Sequence, residues 1–169
     1  ARCGIIRELE YKALSMNLVN SLARHEEEYH KKILAKMDQS SDSNAVRTIH
    51  EDVKAVDPGL KGKFVYDKYI RGCLVDHFIS ENITIDDFID LKYKELSDFV
   101  NAGYKAKQDK NKVVLTREGK VGGKAIAIIK GIKLKSKSQI EIEYSLKNLS
   151  KIAIDAIFAV EFNLTMPYL

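Results

Sequence analysis

The chain has 169 residues, 45% of them hydrophobic and 31% charged, with a formal net charge of +4. A chain of that length buries about 70% of the surface its unfolded state exposes, so a core without staples is expected. The mixture of signs is too even for a nucleic-acid surface, and no apolar run approaches the ~20 residues of a membrane helix.

No secretory leader pattern opens the chain. Cys3 and Cys73 are the only cysteines, outside any C-x-x-C, and are expected as free thiols of a reducing compartment. The cytoplasm is the expected location. Ala1 followed by Arg2-Cys3 reads as the start of a piece of a longer protein.

The first third predicts helix. Tyr11, Leu14, Leu18, Leu22, His25, Tyr29 and Ile33 recur at steps of three and four and gather on one face, with Lys12, Asn20, Arg24, Glu27 and Lys31 opposite. A helical segment is therefore expected over 1–37. A linker and short helix are expected over 38–63, where residues 38–44 are wholly polar and Asp57-Pro58-Gly59 makes a turn.

Residues 66–78 are the densest chemistry in the chain: Tyr66-Asp67-Lys68-Tyr69-Ile70-Arg71-Gly72-Cys73-Leu74-Val75-Asp76-His77-Phe78. Polar groups so closely set among apolar anchors either form a satisfied buried network or face a ligand. Thr84-Ile85-Asp86-Asp87 then supplies a capping hydroxyl and an acidic first turn, predicting a helix over 85–93 with Phe88 and Leu91 on its buried side.

Beyond residue 97 the period falls to two. Val113-Val114-Leu115 and Ala125-Ile126-Ala127-Ile128-Ile129 predict strands. Folding residues 132–146 about Ser136-Lys137-Ser138 pairs Lys133 with Glu141 and Ile132 with Ile142, which puts apolar side chains on one face and opposite charges on the other. A last strand is expected over 152–164. The fold class is therefore α+β, N-terminal helices followed by roughly five or six antiparallel strands. The abrupt stop after a strong strand suggests an incomplete sandwich over 64–169.

Several familiar chemistries fail on spacing. His25 and His30 are five apart, about 140° round a helix, whereas a zinc-protease pair sits four apart at about 40°. Gly119-Lys120-Val121-Gly122-Gly123-Lys124 lies between strands rather than before a helix, so it predicts a hairpin turn and not a phosphate cradle. Lys130, Lys133, Lys135, Lys137 and Lys147 have Glu141 and Glu143 beside them and read as a solvated, charge-compensated sheet face. No nucleotide-binding motif and no metal-spaced cysteine set occurs, so no cofactor or metal is expected. In 158–163, Glu161 and Asn163 share one face, either lining a polar groove or facing solvent.

Residues 64–78 resemble the segment that opens the C-terminal domain of glycoside hydrolase family 57, which contains α-amylases and 4-α-glucanotransferases. Thr84-Ile85-Asp86-Asp87-Phe88, Tyr93-Lys94-Glu95-Leu96-Ser97-Asp98-Phe99-Val100-Asn101, Thr116-Arg117-Glu118-Gly119-Lys120-Val121, Tyr144-Ser145-Leu146-Lys147-Asn148 and Phe158-Ala159-Val160-Glu161-Phe162-Asn163 follow in the family's order. The resemblance covers residues 46–167. It implies a galactose-mutarotase-like β-sandwich behind the catalytic barrel of a retaining enzyme, whose two carboxylates belong to that barrel. The family's His-Gln-Pro and carboxylate-bearing segments have no counterpart here, so no catalytic residue is expected in this chain.

The reading that follows is a non-catalytic accessory domain that supports the barrel of the same polypeptide and contacts α-glucan. Tyr66, Tyr69, Arg71, Asp76, His77, Glu161 and Asn163 are the candidate carbohydrate contacts, against the alternative that they knit the fold together. The lack of Trp counts against an autonomous sugar-binding module. A second reading is a non-enzymatic interaction domain that pairs through a sandwich edge. A third, a mutarotase-like epimerase, needs His77 and Glu161 in one cleft.

Overall fold

The computed structural model describes residues 3–39, 59 and 63–166. The short helix expected from Asn44 and most of the expected linker lie outside the described residues. The chain divides into two units, Ala1–Leu22 with Tyr69–Leu169, and Ala23–Lys68.

The expected helix over 1–37 is corrected by its first half. Residues 3–22 are extended: β1 (Glu10–Tyr11) and β2 (Met16–Asn17) pair about a single 3-10 turn at Lys12–Leu14. Asn17 Oδ1 accepts from the backbone N–H groups of Leu9 (2.9 Å) and Val19 (3.1 Å), and Ser15 sits at φ 47°. Short polar side chains that offer the backbone local partners compete with a helix. Bridges from Ile6 to Cys73 and from Val19 to Leu164 complete the override, burying Val19 among sheet residues.

In the smaller unit, α1 (Glu28–Gln39) is the one α-helix formed among the described residues of the expected helical span. Arg24 and Asp67 tie the unit's two ends. The guanidinium donates twice to Asp67 Oδ1, at 2.7 and 3.0 Å, Arg24 N donates to Asp67 Oδ2 at 2.6 Å, and Asp67 N donates to Arg24 O at 2.9 Å.

The larger unit is built of antiparallel strands. β3 (Cys73–Ile79) leads through α2 (Ile85–Ile89) to β4 (Lys105–Asp109), β5 (Lys112–Val121), β6 (Lys124–Ser136), β7 (Gln139–Asn148) and β8 (Ile157–Phe162). Strands β4 to β7 form one sheet in chain order, and β3 pairs with β8 in a second. Thr84 caps α2 through a reciprocal capping box with Asp87. The helix ends at Ile89, short of the expected residue 93, and Leu91 turns away at φ 55°. Gly122 and Gly123, both at positive φ, make the two-residue hairpin turn expected there. Lys133 pairs with Glu141 and Ile132 with Ile142, the register expected from charge and apolar alternation. The last strand forms over Ile157–Phe162, half the expected length.

Strict alternation sorts each strand's side chains between two faces. Leu115, Val121, Ile126 and Ile128 line the inner face of the four-stranded sheet and pack with Phe78, Phe99 and Tyr104. Phe158 bridges the two layers, its ring 5.1 Å from that of Phe78 and 5.4 Å from that of Tyr144. Ile128 is fully buried, whereas its neighbour Ile129 is 46% exposed. Ile128→Ala is therefore expected to cost about 2–5 kcal/mol in urea unfolding, and Ile129→Ala less than about 1 kcal/mol. Equal losses would contradict this assignment of faces.

Candidate functional site

β3 is buried along its whole length. Its consecutive residues Asp76 and His77 point to opposite faces, so each face must supply partners for a polar group.

Asp76 faces the four-stranded sheet. Its Oδ2 meets Lys130 Nζ at 2.8 Å and accepts from the Tyr104 hydroxyl at 2.5 Å, and its Oδ1 accepts from Tyr144 at 2.9 Å. The ammonium also donates to the carbonyls of Gly4 and Leu74, each at 2.8 Å. Both carbonyls are aimed by unusual backbone: Leu74 sits at φ 68° where the register slips between Cys73 and Val75, and Gly4 sits at φ 60°. A Cβ on Gly4 would lie 2.6 Å from the Tyr104 ring, so glycine is required there. The rings of Tyr104 and Tyr144 each lie 5.2 Å from Nζ, within cation–π range. Burial pulls the Lys130 pKa down against the opposing pull of Asp76. Burial, and then the Asp76 charge, push both tyrosine hydroxyls far up, which keeps them donors.

This corrects the grouping of Lys130 with the solvated lysines. Lys130 is 0% exposed, on the face it shares with Ile126, Ile128 and Ile132. Its parity with those residues was the available signal. Lys135 is compensated by Glu141 at 2.9 Å, as the charged-face reading expects.

On the other face of β3 the His77 ring is strung between two carboxylates. Nδ1 lies 2.9 Å from Glu95 Oε2, and Nε2 lies 3.0 Å from Glu161 Oε2. Glu95 Oε1 also accepts from Phe78 N, Ser97 N and Ser97 Oγ. Glu161 Oε1 accepts from Asn163 Nδ2 at 2.8 Å, with Arg71 Nη2 at 3.8 Å. Tyr69 hydrogen-bonds to Glu161 and to Tyr93. Burial works against charge on His77, but the hydrogen bonds and charges of Glu161 and Glu95 outweigh it and hold its pKa above the ordinary value. Burial likewise opposes the Glu161 charge, and bonds from His77, Tyr69 and Asn163 hold its carboxyl below the usual range. Tyr93 is pushed up to about 12, chiefly by burial.

Five expected site residues therefore meet around one centre: Tyr69, Arg71, His77, Glu161 and Asn163. Asp76 lies behind them in the other network, and Tyr66 belongs to the smaller unit, its ring 5.6 Å from that of His30. Of the two orientations open for Glu161, the inward one is found: its side chain is 9% exposed. Glu95, Tyr93, Tyr104 and Tyr144 join these networks with nothing local in their segments to mark them, whereas Lys130 is marked only by its parity with Ile126, Ile128 and Ile132. His77 is 0% exposed, with a carboxylate at each ring nitrogen. Among the described residues no group of three or more His, Cys, Asp and Glu side chains is arranged to hold a metal ion, and no helix is long and apolar enough to cross a membrane.

Removing one member of the Asp76–Lys130 pair strands the other in the core. Lys130→Met and Asp76→Leu are each expected to cost about 3–5 kcal/mol. The double variant is expected to fall short of their sum by more than about 1 kcal/mol, read from denaturant midpoints. Strict additivity would show the two charges to be uncoupled.

The fold and both networks sit on a chain with clear relatives. The family model described as Alpha-amylase/4-alpha-glucanotransferase, C-terminal, matches residues 1–169. An alpha-amylase of Pyrococcus abyssi is 33% identical over 163 residues, covering 96% of this chain and 24% of that protein. A 4-alpha-glucanotransferase of Thermococcus litoralis is 36% identical over 118 residues, covering 70% of this chain and 18% of that protein. The crystal structure of 4-alpha-glucanotransferase from the latter organism superposes with a TM-score of 0.76 at 29% identity, over 96% of this chain and 22% of that one. This chain thus spans a quarter or less of the length of these relatives. With a model matched from first residue to last over this antiparallel two-layer fold, the chain belongs to the alpha-amylase/4-alpha-glucanotransferase C-terminal family.

Proposed function

We propose that this domain is the non-catalytic C-terminal accessory part of an α-glucan-active retaining glycoside hydrolase or 4-α-glucanotransferase, with a galactose-mutarotase-like sandwich that supports a catalytic barrel. The names of its relatives support the substrate class, and their greater length leaves room for a separate catalytic part. Retaining chemistry needs two carboxyl groups about 5–5.5 Å apart across an accessible sugar. Glu95 and Glu161 flank a buried imidazole instead.

The observation that carries this reading is His77, fully buried with a carboxylate on each ring nitrogen. Contact between glucan and Asp76 or His77 would require opening a satisfied network, which is costly. Both are given a supporting role. The buried free thiols of Cys3 and Cys73 support a cytoplasmic setting.

The test compares the parent enzyme with its His77→Gln variant on maltoheptaose. The variant is expected to melt earlier yet keep kcat/KM within about twofold at a temperature where it stays folded. A rise in KM of about tenfold or more in the folded variant would make His77 part of a sugar site and sink the supporting role. Backbone amide shifts of Asp76 and His77 that move with maltoheptaose would do the same.

A further inference from the structure

We infer that His77 is a proton-operated latch: as an imidazolium it holds residues 93–97 and α2 against the outer face of β3 and β8, and loss of its proton releases that arm.

Hydrogen-bond chemistry carries the first step. An ionised carboxylate has only lone pairs to offer. Glu95 accepts from Phe78 N at 2.9 Å, Ser97 N at 3.2 Å and Ser97 Oγ at 2.6 Å. Glu161 accepts from Asn163 Nδ2 and Tyr69. Facing two ionised carboxylates, both ring nitrogens of His77 donate, which only the imidazolium can do. A neutral ring would set one lone pair against a carboxylate at about 3 Å. Flipping the ring cannot help, because a carboxylate waits on either side.

The second step is which contact yields. Glu161 stands on β8 and is held by Asn163, Tyr69 and Arg71, with a side chain 9% exposed. Glu95 lies outside regular structure, and its side chain is 23% exposed, so water can replace the ring. The Nδ1 contact is the one to open. Glu95 also carries the bonds to Phe78 and Ser97, and Leu96 N donates to Phe78 O at 2.8 Å, so the arm meets β3 chiefly through residues 95 and 96. Leu96 O accepts from Gly122 N, and Ser97 bridges Val121, at the turn between β5 and β6. Tyr93 stacks on Phe88 at 4.9 Å, which couples α2 to the arm. α2 has five residues, none buried, and depends on that docking.

The groups facing His77 set the direction. Glu161 approaches from β8, Glu95 and Tyr93 from the arm, Tyr69 from the segment before β3 and the Phe88 ring from α2, while Arg71 lies behind Glu161. Asp76 and Lys130 lie across the strand. The ring's folded pKa exceeds its unfolded value near 6.5, so its contribution is complete below that pH and is lost as pH rises through the folded value.

The test uses the full chain and two readouts between about pH 6 and about pH 9. Ring 15N shifts are expected to show both nitrogens of His77 protonated at the acid end. Hydrogen exchange of residues 84–97, corrected for intrinsic rate, is expected to rise by up to about tenfold per pH unit from about pH 6.5 to the ring's titration in the folded chain and to level off above it, while β5 and β6 keep their protection. Glu95→Gln, whose amide donates to a neutral ring, is expected to flatten that pH dependence. A ring already neutral at about pH 6, an arm whose protection ignores the ring's titration, or parallel loss in β5 and β6 would each overturn the latch. The wild-type chain decides these outcomes without the variant.

Discussion

β3 carries two ionisable side chains back to back, Asp76 and His77, neither of which reaches water. Taking charge out of water is expensive unless partners are in place on arrival. Because adjacent residues of a strand face opposite ways, partners for one cannot serve the other. The two layers on either side of β3 are therefore each obliged to bring charge of the right sign to one spot. Lys130 comes from the middle of β6, and Glu161 and Glu95 from β8 and the arm after α2. Much that is irregular in this domain serves that demand. The bulge at Leu74 and the left-handed Gly4 each turn a carbonyl to the same ammonium.

This arrangement bears on pairing as well as on stability. Slipping β6 by one residue would carry Lys130 to the outer face and bring Ile129 inward, leaving Asp76 with two tyrosine hydroxyls and no cation. Apolar alternation alone penalises such a slip. The buried pair adds a second penalty, because an uncompensated carboxylate in a core is worse than a misplaced methyl group. Leu74 and Lys130 are thus coupled across the layers: the strained backbone of one is answered by the ammonium of the other.

How much of this was legible depended on whether a signal was local. The β6–β7 hairpin could be read in register because charge pairing and apolar alternation agree over residues 132–142. The turn at Gly122-Gly123 and the cap at Thr84 were legible for the same reason. Residues 3–22 were not, since three- and four-residue spacing of Tyr11, Leu14, Leu18 and Leu22 mimics a helix. What decides them is Asn17 accepting from the backbone of Leu9 and Val19, and Val19 joining Leu164, the second a contact made far along the chain. The dense stretch 66–78 announced a network without revealing that Asp76 and His77 belong to two of them. Lys130 was visible only to a parity count through Ile126, Ile128 and Ile132, and composition argued the other way.

The two networks also differ in what protons can do to them. On the inner side the donors are an ammonium with three acceptors and two hydroxyls whose pKa values burial has driven far up, so each polar atom has a partner of fixed sense. On the outer side the central donor is an imidazole, which can lose half of its donating capacity near neutrality. The inner network joins the two sheets, whereas the outer one joins β3 and β8 to a short arm with a one-cap helix. A change of charge at His77 therefore acts on the least buried layer of the domain and leaves the joint between the sheets intact. Placing the titratable group outside and the ammonium inside confines any proton-driven motion to the arm.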